Sequence, residues 1–366
     1  MIRTARLPGC AACVTAGTER MSLIIALDAM GGDDAPQMVI DGAALAHQRE
    51  PDIRFLLVGD ERRLKPMLDQ HAELRSVCEL LHTEEYVAGD AKPSVALRQG
   101  RNSSMRLAID AVRDGKAAAT VSAGNTGALM AMAKVVLRTL PSIDRPAIAS
   151  VLPSRQRPVV MLDLGANVDC SAENLLQFAV MGEVYARAVL DIEKPRIALL
   201  NVGTEEVKGD NVVREAAALL RDSGLDIDYA GFVEGNDVID GTVDVIVTDG
   251  FTGNVALKIA EGTASLYAGA LRDAFRSSLG GKVAYLFGRR ALRRLRAKFD
   301  PRLYNGAMFL GVNGVVVKSH GGTDAVGFAT AIKAAADIAR RGTNERIIEE
   351  MSALVSESNS ADAAAR

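Results

Sequence analysis

Short apolar runs alternate with longer segments of helical periodicity along most of the chain. The apolar runs predict strands, and the longer segments between them predict helices. Predicted strands cover residues 22–28, 53–59, 76–82, 117–122, 146–152, 158–163, 195–200, 227–232 and 243–248. Predicted helices cover residues 36–48, 61–70, 94–114, 126–138, 172–190, 211–222, 252–278, 324–341 and 344–356. Repeated β-α units predict a three-layer α/β/α fold with a mainly parallel sheet.

The chain divides into one long α/β segment and two short ends. Residues 1–20 are predicted to be a disordered extension, or to precede the true start at Met21. Residues 21–356 form the predicted α/β domain, with a protruding helical region near 265–305, and 357–366 form a flexible tail. Pro153 and Pro158 predict a hairpin-like interruption between two strands. We identify no internal repeat in the sequence.

Composition narrows the classes of function. The net charge is −3 and aromatic residues make up only 4% of the chain, which disfavours a nucleic-acid binder. Cys10 and Cys13 form a lone C-x-x-C pair that provides too few ligands for zinc. Cys78 and Cys170 are predicted to be packing residues, and the absence of a disulfide pattern indicates a reducing cytoplasm. No apolar run reaches the roughly 18 residues that span a bilayer.

Residues 276–299 are basic and amphipathic. They contain eight Lys or Arg side chains and no Asp or Glu, with apolar residues at helical spacing. Such a segment is typical of contact with an anionic membrane surface, although an acidic protein partner or a solvated helix remains an alternative. The predicted contact residues are Leu286, Phe287, Arg289, Arg290, Leu292, Arg293 and Leu295.

Five glycine-rich loops follow predicted strands, at residues 28–33, 122–128, 163–167, 201–209 and 249–254. Ligands of parallel α/β proteins collect at the carboxyl ends of strands. Glycine lets backbone N–H groups approach an anion, and the start of the following helix adds a favourable dipole. We therefore expect the five loops to lie at one edge of the sheet and to form one anion-binding pocket.

The predicted substrate-binding residues are the polar and glycine positions of these loops. They are Asp33, Gly124, Asn125, Thr126, Gly127, Asp163, Asn167, Asn201, Gly203, Asp249 and Gly253. The nucleotide-binding G-x-G-x-x-G, the P-loop and the G-x-S-x-G nucleophile elbow do not occur. The sequence therefore predicts a pocket for an anion and a carbonyl group, without a covalent nucleophile.

Residues 25–33 (IALDAMGGD) resemble the opening of the PlsX family, the fatty acyl-ACP:phosphate acyltransferases. The resemblance extends through SAGNTGA at 122–128, DLGAN at 163–167, NVGTEEVKG at 201–209, DGFTGN at 249–254 and KSHG at 318–321. It covers about residues 21–340. It implies that the chain converts acyl-ACP and inorganic phosphate to acyl phosphate and free acyl carrier protein (ACP), the first step of bacterial phospholipid synthesis.

The resemblance also implies a fold, an assembly and partners. The fold would be similar to isocitrate and isopropylmalate dehydrogenases and to phosphotransacetylase. The chain would form a homodimer, associate peripherally with the cytoplasmic face of the membrane, and bind ACP. A downstream glycerol-3-phosphate acyltransferase is a further possible partner. The resemblance implies no metal, nucleotide or other cofactor.

Three residues are the expected catalytic groups for this reaction. Lys208 would neutralise phosphate or the developing oxyanion, and Asn254 would donate a hydrogen bond to the thioester carbonyl. His320 would protonate the leaving thiolate. Asp33 and Asp163 would orient these donors, because a carboxylate repels phosphate.

The chain departs from the family pattern in the loops at 98–101 and 304–323. Three other functions remain open at this stage. They are a CoA-dependent phosphotransacetylase, a dehydrogenase of the same fold, and a scaffold at the membrane surface that uses the basic segment.

Overall fold

The computed structural model describes residues 23–298 and 300–364. The predicted extension at 1–20, including Cys10 and Cys13, lies outside the described residues. Side-chain surroundings are not described for residues 295–298 and 355–364, and these include the predicted contact residue Leu295.

Eleven strands form one mixed sheet in the described residues, in the order β3-β2-β1-β4-β11-β10-β5-β6-β9-β7-β8. The strands are β1 Leu23–Asp28, β2 Ile53–Gly59, β3 Cys78–His82, β4 Ala119–Ser122, β5 Ala147–Leu152, β6 Val159–Leu162, β7 Arg196–Leu200, β8 Asp228–Val233, β9 Val245–Val247, β10 Ala307–Leu310 and β11 Val315–Lys318. The sequence analysis predicts the first nine and misses β10 and β11, which are only four residues each.

The two halves of the sheet run in opposite directions. Strand β10 is antiparallel to both β11 and β5, and β5 is antiparallel to β6, whereas the other paired strands are parallel. We call the "first edge" the side where β1, β4 and β11 end, and the "second edge" the side where β6, β7 and β9 end. The prediction of five loops at one edge is therefore wrong, because the central antiparallel strands reverse the chain direction.

Helices cover both faces of the sheet. Alternate strand residues point to opposite faces, and they pack into three separate core clusters. Met308 and Leu310 of β10, for example, pack in one cluster and Phe309 packs in another. This arrangement confirms the predicted three layers.

The helices are α1 Gln37–Arg49, α2 Glu61–Leu68, α3 Ala72–Ser76, α4 Pro93–Gln99, α5 Ser104–Arg113, α6 Thr126–Leu137, α7 Ala172–Leu190, α8 Asn211–Asp222, α9 Gly235–Asp240, α10 Gly250–Arg276, α11 Leu279–Lys298, α12 Ala325–Arg340 and α13 Thr343–Ala364. Pro36, rather than Asp33 or Asp34, precedes the first turn of α1. The predicted helix at 94–114 is divided, because Gly100 ends α4 and the Ser103 hydroxyl caps α5. Helix α13 continues beyond 356, where the sequence predicts a flexible tail.

Helices α10 and α11 expose most of their side chains. Only Gly250 and Gly253, both in the first turn of α10, are fully buried within α10. The rings of Phe275 and Tyr285 meet edge to face where α10 connects to α11. Large apolar side chains remain accessible on both helices, with Phe287 83% exposed. No helix among the described residues is long and apolar enough to cross a bilayer.

Helix α7 carries a buried carboxylate, Glu183, that generates a testable pH dependence. Burial raises the Glu183 pKa to about 7, against the opposing effect of Arg187 one turn away. The pKa of Glu183 is higher in the folded protein than in the unfolded chain. The contribution of Glu183 to the unfolding free energy is therefore complete below pH 4.5 and is lost as pH rises through about 7.

We expect Glu183→Gln to flatten the fall in unfolding free energy between pH 5.5 and 8.5, by at most about 2 kcal/mol. Urea denaturation of both proteins at the two pH values measures the difference. Glu349→Gln, at an exposed position of α13, is the matched control and should leave the wild-type slope unchanged. An equal slope in wild type and Glu183→Gln would contradict the prediction.

Candidate functional site

A buried carboxylate organises the first edge. Asp28, at the end of β1, accepts hydrogen bonds from the hydroxyls of Ser104 and Ser122, each at 2.6 Å. The Ser122 hydroxyl in turn accepts a hydrogen bond from the Gly124 N–H at 3.0 Å. Burial raises the Asp28 pKa, while the two hydroxyls and the Met30 N–H oppose that rise. Asp28 therefore joins β1, the start of α5 and the loop after β4.

The loops that follow β1, β4 and β11 lie in contact at this edge. A Cβ on Gly31 would lie 2.5 Å from an Asp28 carboxylate oxygen and 2.8 Å from the Gly124 nitrogen, so glycine is required for this close approach. The Asp33 N–H donates to the Gly321 carbonyl at 3.0 Å. These contacts confirm that three of the family motifs form one continuous surface.

Asn125 caps α6 and positions the loop after β4. Its side-chain oxygen accepts from the Ala128 N–H at 2.8 Å and caps α6, while its amide nitrogen donates to the carbonyls of Gly89 and Ala91. The amide is therefore committed to positioning the loop. The backbone N–H groups of Thr126 and Gly127 precede the hydrogen-bonded part of the helix, so this cap leaves them open to a ligand. Thr126 and Gly127 are both exposed.

Asp163 and Asn167 organise the second edge. Asp163 accepts backbone hydrogen bonds from Ile148, Gly165, Ala166 and Asn167. The Asn167 amide donates to Asp163 and to the Pro146 carbonyl. Burial raises the Asp163 pKa, and these donors oppose it. Both side chains hold the loop after β6 against the start of β5.

The start of α10 fits against the same loop. The Gly250 N–H donates to the Asn167 carbonyl at 2.7 Å. Asp249 caps α10 by accepting from the Thr252 N–H at 2.8 Å and from the Thr252 hydroxyl at 2.6 Å. A carboxylate therefore occupies the position that an anion would take at this helix start. Asn254 is exposed beside Gly165, and no described contact uses its amide.

The loop after β7 presents Lys208 to solvent. Asn201 accepts from the Val202 N–H at 2.8 Å and donates to the Lys208 carbonyl at 3.2 Å, which closes the loop. Gly203 leaves room for the Lys208 side chain, because a Cβ there would lie 3.1 Å from the Lys208 Cγ. Lys208 forms no ion pair within the described part of the chain, so its ammonium group is available to an anion.

His320 lies at the first edge, whereas Lys208 and Asn254 belong to the second. The His320 Nδ1 accepts a hydrogen bond from the Gly322 N–H at 3.3 Å, and the His320 backbone N–H donates to the Asn305 side chain. This contact assigns the proton of the neutral ring to Nε2, which faces away from the loop bond. The three predicted catalytic residues therefore do not share one sheet edge.

A short internal repeat relates the two edges. Ser122-x-Gly124-x-Thr126-Gly127 and Thr248-x-Gly250-x-Thr252-Gly253 have the same spacing, and each joins a strand to a helix. Helices α6 and α10 begin at opposite edges and both pack against the same core cluster. The sequence analysis missed this repeat because only three positions are identical and a fourth is Ser in one copy and Thr in the other.

Lys318 is a site residue that the sequence analysis did not select. It ends β11 at the first edge, and its ammonium donates to the carbonyls of Ala123 and Ser319. Burial lowers the Lys318 pKa to about 8, whereas Asp28 and Asp33 raise it. Its place in the KSHG motif was the available signal, but the burial depends on the unpredicted strand β11.

Neither a metal centre nor a reactive thiol is apparent in the described ranges. No group of three or more His, Cys, Asp or Glu side chains there is arranged to hold a metal ion. Burial raises the pKa of Cys78 to about 12 and that of Cys170 to about 11, so both are protonated at neutral pH. These values agree with the predicted packing role.

The chain is similar to known proteins over most of its length. A family model described as "Fatty acid synthesis protein" matches residues 23–346. A phosphate acyltransferase from Rhodospirillum centenum is 62% identical over 330 residues, covering 90% of this chain and 93% of that protein. One from Paramagnetospirillum magneticum is 59% identical over 333 residues, covering 91% and 95%.

Two solved structures share the fold at low identity. A phosphotransacetylase from Streptococcus pyogenes superposes with a TM-score of 0.61 and 19% identity, covering 87% of this chain and 94% of that one. A branched-chain phosphotransacylase from Enterococcus faecalis gives 0.53 and 13%, covering 87% and 99%. The expected likeness to phosphotransacetylase is thereby confirmed for the fold, and that to the dehydrogenases stays a prediction.

The contact between Gly253 and Asp163 generates a prediction for the second edge. A Cβ on Gly253 would lie 1.9 Å from the Asp163 carbonyl oxygen, so Gly253→Ala must displace α10 from the end of β6. We expect a loss of about 1–3 kcal/mol in unfolding free energy. Thermal and urea denaturation measure the change.

Gly262→Ala is the matched control within α10, since nothing lies within 4 Å of a Cβ at that position. It should stabilise the protein by about 0.5–1 kcal/mol, because alanine favours a helix over glycine. Equal stabilities of the two variants would show that Gly253 does not fix the start of α10.

Proposed function

The chain belongs to the PlsX family of phosphate acyltransferases, and we propose from this premise that it transfers a fatty acyl group from acyl-ACP to inorganic phosphate. The products are acyl phosphate and free ACP, and the reaction supplies the first step of bacterial phospholipid synthesis. The main support is sequence identity: about three residues in five are identical to curated phosphate acyltransferases over nine tenths of the chain.

The chemistry requires positioning more than covalent catalysis. Phosphate is a nucleophilic anion at neutral pH, and one of its oxygens attacks the thioester carbonyl carbon. The tetrahedral intermediate then collapses, the C–S bond breaks, and the thiolate leaves and takes up a proton. The protein must hold phosphate against the thioester and stabilise the oxyanion, which suits the neutral and cationic donors of the strand-end loops.

We assign roles to the side chains and backbone N–H groups that remain available to a ligand. The Asn254 amide donates to the thioester oxygen from the first turns of α10. Lys208 adds positive charge from the second edge, and the N–H groups of Thr126 and Gly127 hold phosphate at the first edge. His320 Nε2 protonates the thiolate. Because α6 and α10 lie on one face of the sheet, a substrate between them reaches groups from both edges.

The proposed partners follow from the same reaction and from the exposed helices. We propose a homodimer located in the cytoplasm and bound peripherally to the membrane, with ACP as acyl donor. A downstream glycerol-3-phosphate acyltransferase would consume the product. The exposed apolar and basic side chains of α10 and α11 support the membrane contact.

A donor assay tests the function. Purified protein, phosphate and either acyl-ACP or acyl-CoA are incubated, and acyl phosphate is trapped with hydroxylamine. The proposal is supported if kcat/KM for acyl phosphate formation is higher with acyl-ACP than with acyl-CoA. Preference for acyl-CoA would instead assign a phosphotransacylase of the kind that shares this fold.

Substitution of Lys208 and Asn254 tests the mechanism. Removal of one oxyanion donor typically lowers turnover about 10²–10³-fold. We therefore expect Lys208→Ala and Asn254→Ala each to lower acyl phosphate formation at least about a hundredfold, with unchanged melting temperatures. Lys134→Ala, at the exposed end of α6, is the control and should retain wild-type turnover. Near-normal rates in both test variants would place the reaction elsewhere.

Introduction of a carboxylate on the apolar side of α11 tests the membrane contact. We expect Leu292→Glu or Leu295→Glu to lower sedimentation with anionic liposomes while turnover in solution largely persists, because a carboxylate opposes both apolar insertion and anionic head groups. Ile239→Glu, at an exposed apolar position of α9, is the charge-matched control. Unchanged sedimentation of the α11 variants would exclude this surface.

A further inference from the structure

A cavity beside the start of α6 lies outside the loops that the sequence analysis selected. Its volume is about 350 Å³, within the range of roughly 300–1,000 Å³ that small-ligand pockets occupy. The loop between β3 and α4 forms one wall, and α4 forms the other. The apolar lining residues are Tyr86, Val87, Ala88, Ala91, Val95 and Ala96.

Hydrogen bonds fix the loop wall of this cavity to the first edge. The Ser104 N–H, at the start of α5, donates to the Glu85 carbonyl at 2.9 Å. At the other end of the loop, the Asn125 amide donates to the Gly89 carbonyl at 2.7 Å and to the Ala91 carbonyl at 3.2 Å. The residue that caps α6 therefore also holds the cavity wall, so the cavity and the start of α6 keep a fixed relation.

Helix α4 brings the cavity next to the proposed phosphate site. A Cβ on Gly127 would lie 2.7 Å from the Pro93 Cγ, so the first turn of α4 packs directly on the first turn of α6. Val95 and Ala96 follow within the same helix and line the cavity. The seven residues of α4 extend only about 10 Å. The cavity therefore lies within one short helix length of the N–H groups that are assigned to phosphate.

The charges at the rim disfavour an anionic ligand. Glu84 and Glu85 line the cavity and are exposed, and no Lys, Arg or His is among its lining residues within the described ranges. Arg62 pairs with Glu84 at 3.4 Å, which leaves the Glu85 carboxylate with only the Asn102 amide at 3.4 Å. The rim therefore stays negative and repels phosphate and nucleotide groups, so the apolar walls suit an uncharged ligand.

The floor of the cavity is apolar and adaptable. Ala96 is 5% exposed and packs in one core cluster with Met105 and Met132. A Cβ on Gly100 would lie 3.1 Å from the Met132 Cε, so this methionine ends beneath the last turn of α4. Methionine side chains fill irregular apolar space and readjust easily. Such a floor suits a flexible apolar chain better than a rigid group of one shape.

We propose that this cavity binds the fatty acyl chain of the thioester substrate. The inference rests on the proposed function and adds the place where the acyl chain lies. The thioester carbonyl is then at the start of α6, where phosphate attacks it, and the chain extends along α4 away from the polar loops. Burial of each methylene group increases affinity about fourfold, so the cavity gives the enzyme a preference for long chains.

The dependence of turnover on chain length is the first test. Tyr86 is 59% exposed, so Tyr86→Ala should fold, but it removes the largest apolar wall of the cavity. We expect it to lower kcat/KM for palmitoyl-ACP about 5- to 20-fold and that for butyryl-ACP less than twofold. Val95→Phe, which fills the cavity, should shift the ratio of the two constants in the same direction.

Val135→Ala, at an exposed apolar position of α6, is the matched control and should keep the wild-type ratio. An unchanged ratio in both Tyr86→Ala and Val95→Phe overturns the proposal. Sedimentation velocity of Tyr86→Ala checks a second occupant, another copy of the chain. A changed assembly state of this variant would assign the cavity to that copy and would also contradict the proposal.

Photolabelling locates the chain directly. The probe is a palmitoyl-pantetheine amide, which cannot be cleaved as a thioester, with a diazirine at the end of the acyl chain. Mass spectrometry should find the label within residues 84–100. A second probe with the diazirine on the pantetheine should not label this range, and labelling there would assign the cavity to the carrier arm instead. Labelling of α10 or α11 alone by the first probe would also contradict the proposal.

The same probe separates this inference from the proposed function. If the wild-type protein makes no acyl phosphate from any donor but the chain-end probe labels residues 84–100, the proposed function fails and the acyl site stands. If acyl phosphate forms from acyl-ACP and the label lies elsewhere, the function stands and the inference fails.

Discussion

The antiparallel strands at the centre of the sheet determine where every functional loop lies. Strand β10 pairs antiparallel to β5 and β11, and β5 pairs antiparallel to β6. Parallel strands place their carboxyl ends together, so these three antiparallel pairings divide the strand-end loops between two edges. Helices α6 and α10 then begin at opposite edges but lie on one face, and the space between them is where groups from both edges can meet.

Each edge is held by a buried carboxylate, but the two carboxylates act differently. Asp28 receives hydroxyl hydrogen bonds from Ser104 and Ser122, so it joins elements that are distant in sequence. Asp163 receives mainly backbone N–H groups and holds its own loop. Buried charges are costly unless hydrogen bonds satisfy them. The hydrogen bonds of the two carboxylates therefore hold the loops of the two edges in place.

The exposed helices α10 and α11 connect the chemistry to the surface. Helix α10 begins in the tightly packed second edge, passes Asn254, and continues into a segment with accessible apolar side chains. A large exposed apolar surface is typical of contact with a partner or a membrane. One helix thus links the proposed reacting groups to the surface from which an apolar product could be released.

The sequence alone determined the local elements and the identity of the loops. Strands β1 to β9 follow from short apolar runs, and the glycine-rich motifs locate the loops, because both signals depend on neighbouring residues. The motifs further carry the family resemblance, which the comparisons confirm over most of the chain.

Only the tertiary structure decided which loops share an edge. The direction of β10 and the burial of Lys318 depend on pairings between residues far apart in sequence, which no local pattern encodes. The same reason explains why Asn125 is committed to the carbonyls of Gly89 and Ala91. Side-chain chemistry is local, but the availability of a side chain to a ligand depends on contacts that only the folded chain makes.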